Sequence, residues 1–150
     1  MSSPNVVVVS SSLSQVSRSR IMAHYAIETL TRSGCEVSLL DLAQVETLSY
    51  PQSKGNEALK AAVEQFNAAH GWVLASPVYN FGASGVLLNF LHYALDSDFG
   101  RWKPFVLMSS MSGQRSAMAL DHVARTMVYE VMDTQLGVLS HFARARMEMK

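Results

Sequence analysis

Val6 to Val9 is an unbroken β-branched run, and no other feature narrows the fold so much. Successive strand side chains point to opposite faces, so a strand apolar at every position is covered on both sides, as in a parallel sheet between helices. The rest of the chain alternates accordingly. From Arg18 to Arg32 a helical stripe of Met22, Tyr25, Ala26, Thr29 and Leu30 follows, stopped by Ser33 and Gly34. Cys35 to Leu42 reads as a second strand. Asn56 caps a helix whose apolar positions are Leu59, Ala62, Val63 and Phe66, ending near His70-Gly71. Trp72 to Ser76 is a third strand, with Trp72 packed under a helix, and Pro104 to Ser110 is a fourth. Between them Gly85 to Leu95 is helical and apolar almost all round, which fits the core or a subunit contact. Ala117 to Met132 is a long helix with Leu120, Val123, Met127, Val128 and Val131 inward. Leu136 to Leu139 is a short last strand, and only "HFARARMEMK" is left for an abbreviated final helix.

Strands alternating with helices specify an open α/β sheet, here one domain over residues 1–150, with right-handed crossovers between parallel neighbours. Composition restricts its partners. Twelve Lys and Arg balance twelve Asp and Glu, so the basic footprint of a nucleic-acid binder is missing. No apolar run reaches the ~20 residues of a membrane-spanning helix, and "MSSPN" lacks the layout of a signal peptide. A single cysteine, Cys35, forms no internal disulfide, which fits a reducing cytoplasm.

Open sheets of this kind bind ligands beyond the carboxyl ends of their strands. Three junctions lie there: "SSSLSQVSRSR", "SPVYNFGASG" and "SSMSGQRS". None holds a carboxylate, a cysteine or a histidine. The acids of a phosphoacceptor domain, the P-loop lysine and the GxGxxG fingerprint are all absent. The five histidines share no ligand spacing, so no metal is expected, and no residue is marked as a catalytic acid, base or nucleophile. What remains is an uncharged, donor-rich pocket. A phosphate at the first junction would meet the hydroxyls of Ser10, Ser12, Ser14, Ser17 and Ser19 and the free N–H groups opening the next helix. The same serines also suit a turn whose hydroxyls only cap that helix, and both readings stand at this point. The second junction adds Pro77, Tyr79, Asn80 and Phe81, aromatic rings beside an amide, suited to a flat heterocycle with polar edges. Packing over the sheet edge is the other reading for either ring.

Together the junctions resemble the NADPH-dependent FMN reductase family, a flavodoxin-like group that includes quinone, chromate and azo-dye reductases. The family pattern SGSLRxGSxNR is matched by Ser10, Ser12, Leu13, Ser17 and Arg20. Its TPEYNxSxPGxLKNALD is matched by Pro77, Tyr79, Asn80, Gly85, Leu87 and Asn89, and its small-residue turn resembles "SMSGQR" at Ser110 to Arg115. The likeness covers about residues 5–140. Among the departures from it are Ser11 for the glycine, Ser14 for an arginine, Ser19 for an asparagine and Val78 for a glutamate.

The resemblance implies a flavodoxin-like three-layer sandwich whose five-stranded parallel sheet runs in the order 2-1-3-4-5. It implies FMN, with its phosphate at Ser10, Ser12, Ser14, Ser17 and Ser19. The ring is then bordered by Pro77, Val78, Tyr79, Asn80 and Phe81, and closed by Ser110, Met111, Ser112 and Gly113. NADPH or NADH would deliver hydride to the flavin, and a small-molecule acceptor such as free flavin, a quinone or an azo compound would leave with the electrons. The cofactor carries such chemistry without a catalytic side chain. A homodimer or homotetramer is the assembly implied. The competing classes are a flavin-binding electron carrier or sensor and a flavin-free structural homologue.

Overall fold

In the computed structural model, which describes residues 2–45, 50–51, 56–95, 103–111 and 117–130, Val7, Val8 and Val9 are wholly buried. They lie on β1 (Asn5–Ser10), which runs between β2 (Glu36–Asp41) and β3 (Gly71–Tyr79). β5 (Phe105–Ser110) lies on the far side of β3. All these pairings are parallel, with Val8 opposite Leu39 and Val73, and Leu74 opposite Leu107. The four strands therefore stand in the expected order. The expected strand at Leu136 to Leu139 and the abbreviated last helix lie outside the described residues.

The alternation of strand side chains sorts the core into two layers. Val7, Val9, Trp72 and Leu74 face α2 (Glu57–Ala68), α3 (Gly85–Ala94) and α4 (Ala117–Glu130), meeting Phe66, Phe90, Leu91 and Met127. Val8, Val73 and Ala75 face α1 (Arg18–Arg32) through Ala23 and Ala26. The buried side of α1 is Ser19, Ala23 and Ala26, with Ile27 and Leu30 packed beside them; of the expected stripe Ala26 and Leu30 lie inward, while Tyr25 and Thr29 are exposed. Small side chains let the helix lie close on the sheet, while Tyr25 is left 61% exposed. In α3, Leu87, Phe90, Leu91 and Ala94 are buried against the sheet layer, so its apolar character is used in the core.

Two glycines have positional reasons. Gly34, past the end of α1, takes φ 87°, a left-handed stop that a Cβ disfavours. At Gly71 a Cβ would stand 2.9 Å from the Pro104 carbonyl oxygen, where β3 and β5 first meet. Next to it, Trp72 stacks on Phe66 with ring centroids 4.4 Å apart and donates its indole N–H to the Phe66 carbonyl at 2.7 Å. The Lys103 ammonium lies over the indole, and burial pulls its pKa below the ordinary lysine value.

The largest departure from the sequence expectation is at the end of the third strand. Pro77, Val78 and Tyr79, expected on a loop, continue β3. The reason is a two-residue antiparallel strand, β4 (Gly82–Ala83), which pairs Val78 with Ala83 and Tyr79 with Gly82. The extension carries β3 past the end of β1 and aims a hairpin beyond the sheet.

Candidate functional site

At the carboxyl edge of the sheet, serines join the first junction to the third strand and to α3. The Ser11 N–H and hydroxyl both donate to the Ala75 carbonyl at 3.1 Å. Ser84 Oγ donates to Ser11 Oγ at 2.9 Å, and the Ser84 N–H donates to Ser76 Oγ at 3.0 Å. Ser84 is also the N-cap of α3, accepting the Leu87 N–H. All three serines are buried. Ser11, where the resembled family has glycine, therefore turns its side chain into the protein, toward Ala75 and Ser84.

Around the first junction the hydroxyls divide by what each already does. Ser14 Oγ donates to the Val16 carbonyl at 2.9 Å, which commits its one hydrogen. Ser17 caps α1 by accepting the Arg20 N–H and shares a 3.0 Å hydrogen bond with Ser19 Oγ, so one hydrogen of that pair is uncommitted. Ser12 Oγ accepts the Ser14 N–H and keeps its own hydrogen. Ser10 Oγ is buried with no partner, which is costly unless something completes it. The N–H groups opening α1 add the donors and dipole that favour an anion. The capping reading is thus realised at Ser17, and donors remain after it.

The hairpin forms the second part. Asn80 and Phe81 are the two turn residues and both have positive φ, 49° and 65°, the type I′ geometry of tight hairpins. Asparagine tolerates it; phenylalanine does not, at a cost of about 1–2 kcal/mol. Strain of this kind gathers at functional sites. Here it holds Phe81 46% and Tyr79 56% exposed beyond the sheet, while Pro77 and Val78 are half-buried.

Ser110 and Met111, half-buried at the end of β5, form the third part, with Ser110 in register with Pro77. Ser112 and Gly113 lie outside the described residues. On α4, exposed His122 places its Nδ1 4.0 Å from where a Gly82 Cβ would stand, a neighbour of the hairpin that sequence reading missed. It also missed Ser76 and Ser84, although a serine directly before an apolar helix is a cap signal. Among the described residues no cluster of three or more His, Cys, Asp or Glu is placed to hold a metal ion.

The family model of NADPH-dependent FMN reductases matches residues 4–143. No curated protein sequence matches the chain. Among solved structures, the apo form of the NADH:FMN oxidoreductase EmoB is similar at 24% identity and TM-score 0.73, over 85% of this chain and 69% of that one. An oxidoreductase of Corynebacterium diphtheriae is similar at 20% identity and TM-score 0.71, covering 87% and 76%. FerB of Paracoccus denitrificans, a flavoenzyme NAD(P)H:(acceptor) oxidoreductase, is similar at 16% identity and TM-score 0.73, covering 88% and 74%. At these identities the structures attest the fold.

Proposed function

Because the chain belongs to the NADPH-dependent FMN reductase family, matched over residues 4–143, we propose that its three junctions hold FMN for the oxidation of NADPH or NADH. The observation that carries this reading is the pairing of uncommitted donors at the first junction with exposed rings on a strained hairpin beside it. Buried, unpartnered Ser10 Oγ is the mark of a site made for an acceptor, and the donor set suits a phosphate.

Bound FMN supplies two-electron chemistry between a nicotinamide and an acceptor such as free flavin, a quinone or an azo compound. The chain's own residues bind and orient. Ser10, Ser12 and the Ser17–Ser19 pair, with the N–H groups at the start of α1, hold the phosphate; Ser14 reaches it only by giving up Val16. Tyr79 and Phe81 offer ring faces, and Asn80, at the turn, offers amide donors and an acceptor. Pro77, Val78, Ser110 and Met111 wall the near side, and the resemblance alone adds Ser112 and Gly113. The hydrogen bonds among Ser11, Ser76 and Ser84 tie the first junction to β3 and α3, which limits the reorganisation that binding requires. A homodimer or homotetramer in the cytoplasm completes the proposal; light scattering on the purified chain tests the assembly.

Purified protein mixed with FMN is expected to quench flavin fluorescence, and to oxidise NADPH or NADH under air faster than free FMN does. Quenching without oxidation would favour a carrier or sensor. Neither quenching nor oxidation would leave a flavin-free homologue and end the reading.

Phe81→Gly separates the ring's two effects. Glycine suits the second position of a type I′ turn, so the apoprotein should gain about 0.5–1 kcal/mol. FMN affinity should fall roughly tenfold with the loss of an aromatic contact. Thermal melts and fluorescence titrations read the two numbers, and a variant that gains stability with unchanged affinity would remove Phe81 from the site.

A further inference from the structure

Arg20 matches the first family pattern, yet the structure gives its guanidinium to the loop's own backbone. From the first turn of α1 it reaches back, with Nη1 donating to the Ser14 carbonyl at 2.8 Å and Nη2 to the Ser12 carbonyl at 2.9 Å. Asp41, the last residue of β2, holds the same Nη2 with an oxygen at 3.2 Å and is itself pinned by the Ala43 N–H at 3.1 Å. Both side chains are about four-fifths buried, at 21% and 18% exposure.

Peptide groups are planar and trans, so a carbonyl turned to the guanidinium turns the N–H of the following residue away from it. Capturing the carbonyls of Ser12 and Ser14 therefore directs the N–H groups of Leu13 and Gln15 to the opposite side together. N–H groups presented in this way make an anion-binding concavity. Asp41 pairs with the positive charge, which leaves orientation as the guanidinium's main contribution.

Resting on the flavin reading above, we infer that Arg20 is a positioning residue for the FMN phosphate, acting through the loop peptides and held in place by Asp41. The first junction then recognises a phosphate by main-chain amides fixed from behind, without an arginine in contact. This is how the loop tolerates Ser14 where the resembled family has arginine. The planar fork is essential, because one lysine ammonium is a point charge that does not span the two carbonyls and Asp41 in the same geometry.

The test compares FMN with riboflavin, which lacks the phosphate, in fluorescence titrations of wild type, Arg20→Ala, Arg20→Lys and Asp41→Asn. Both Arg20 variants should lose roughly tenfold to hundredfold in FMN affinity, with riboflavin affinity little changed, and Asp41→Asn should move in the same direction. Preserved FMN preference in Arg20→Lys would show that charge suffices and overturn positioning. Equal losses for both flavins would show a merely structural role and overturn it too. Should Arg20→Ala fail to fold, Arg20→Lys and Asp41→Asn still decide. Wild-type protein that binds riboflavin and FMN equally well overturns the phosphate role alone, and wild type that binds neither overturns the flavin reading with it.

Discussion

Ser17→Asp is expected to leave the apoprotein as stable as wild type while weakening FMN binding about a hundredfold or more. Aspartate caps helices as well as serine does, and it can accept the Arg20 N–H that Ser17 Oγ accepts at 3.2 Å. The first turn of α1 has no acid, so a carboxylate there gains about 0.3–1 kcal/mol from the helix dipole. With the phosphate bound as proposed, the same carboxylate would face it. Two unit charges ~4 Å apart repel by about 4 kcal/mol at an effective dielectric of ~20, and the phosphate carries more than one. Riboflavin should bind Ser17→Asp as it binds wild type, and salt should recover part of the FMN affinity. Thermal melts with paired flavin titrations give the comparison. Undiminished FMN binding would show that the phosphate sits elsewhere than at the start of α1.

Trp72→Ala is expected to cost about 3–5 kcal/mol, a large part of the ~5–15 kcal/mol that holds a domain folded. Trp72 is 1% exposed at the start of β3. Its loss removes the stacked contact with Phe66 and the 2.7 Å hydrogen bond to the Phe66 carbonyl. It also opens a void between the sheet and α2. Trp72→Phe keeps a six-membered ring for the stack but loses the pyrrole half of the indole with its N–H, so a smaller cost of about 1–3 kcal/mol is expected. Urea unfolding should show the midpoint falling in that order with an unchanged slope. Equal losses in the two variants would show that a six-membered ring stacked on Phe66 contributes nothing to stability.

The parts of the molecule legible in its sequence are those governed by local periodicity. The valines of β1, the Asn56 cap and the Gly34 stop each follow from neighbouring residues, and the structure has all three. The β3 hairpin was hidden because proline is rare inside strands and because the usual Asn-Gly of a type I′ turn is here Asn80-Phe81, with Gly82 one place late. The face of α1 was misjudged for a different reason. Tyr25 has the apolar bulk of a core residue, but the fully buried places under α1 go to Ser19, Ala23 and Ala26, with Ile27 and Leu30 packed at their flank. At the site, the serines were visible as a group, and their separate duties were not. Which hydroxyl faces inward depends on partners such as Ala75 and Ser84, 64 and 73 positions from Ser11. The bond from Arg20 to Asp41 spans 21 positions and follows no spacing rule.

The buried serine chain ties the fate of one position to that of another. Glycine at position 11 would leave the Ser84 hydroxyl hydrogen without its acceptor, and removing Ser84 would leave Ser11 Oγ with only its bond to the Ala75 carbonyl. Neither change is neutral alone. The two positions are therefore coupled across 73 residues of chain: what a change at one costs depends on the side chain at the other.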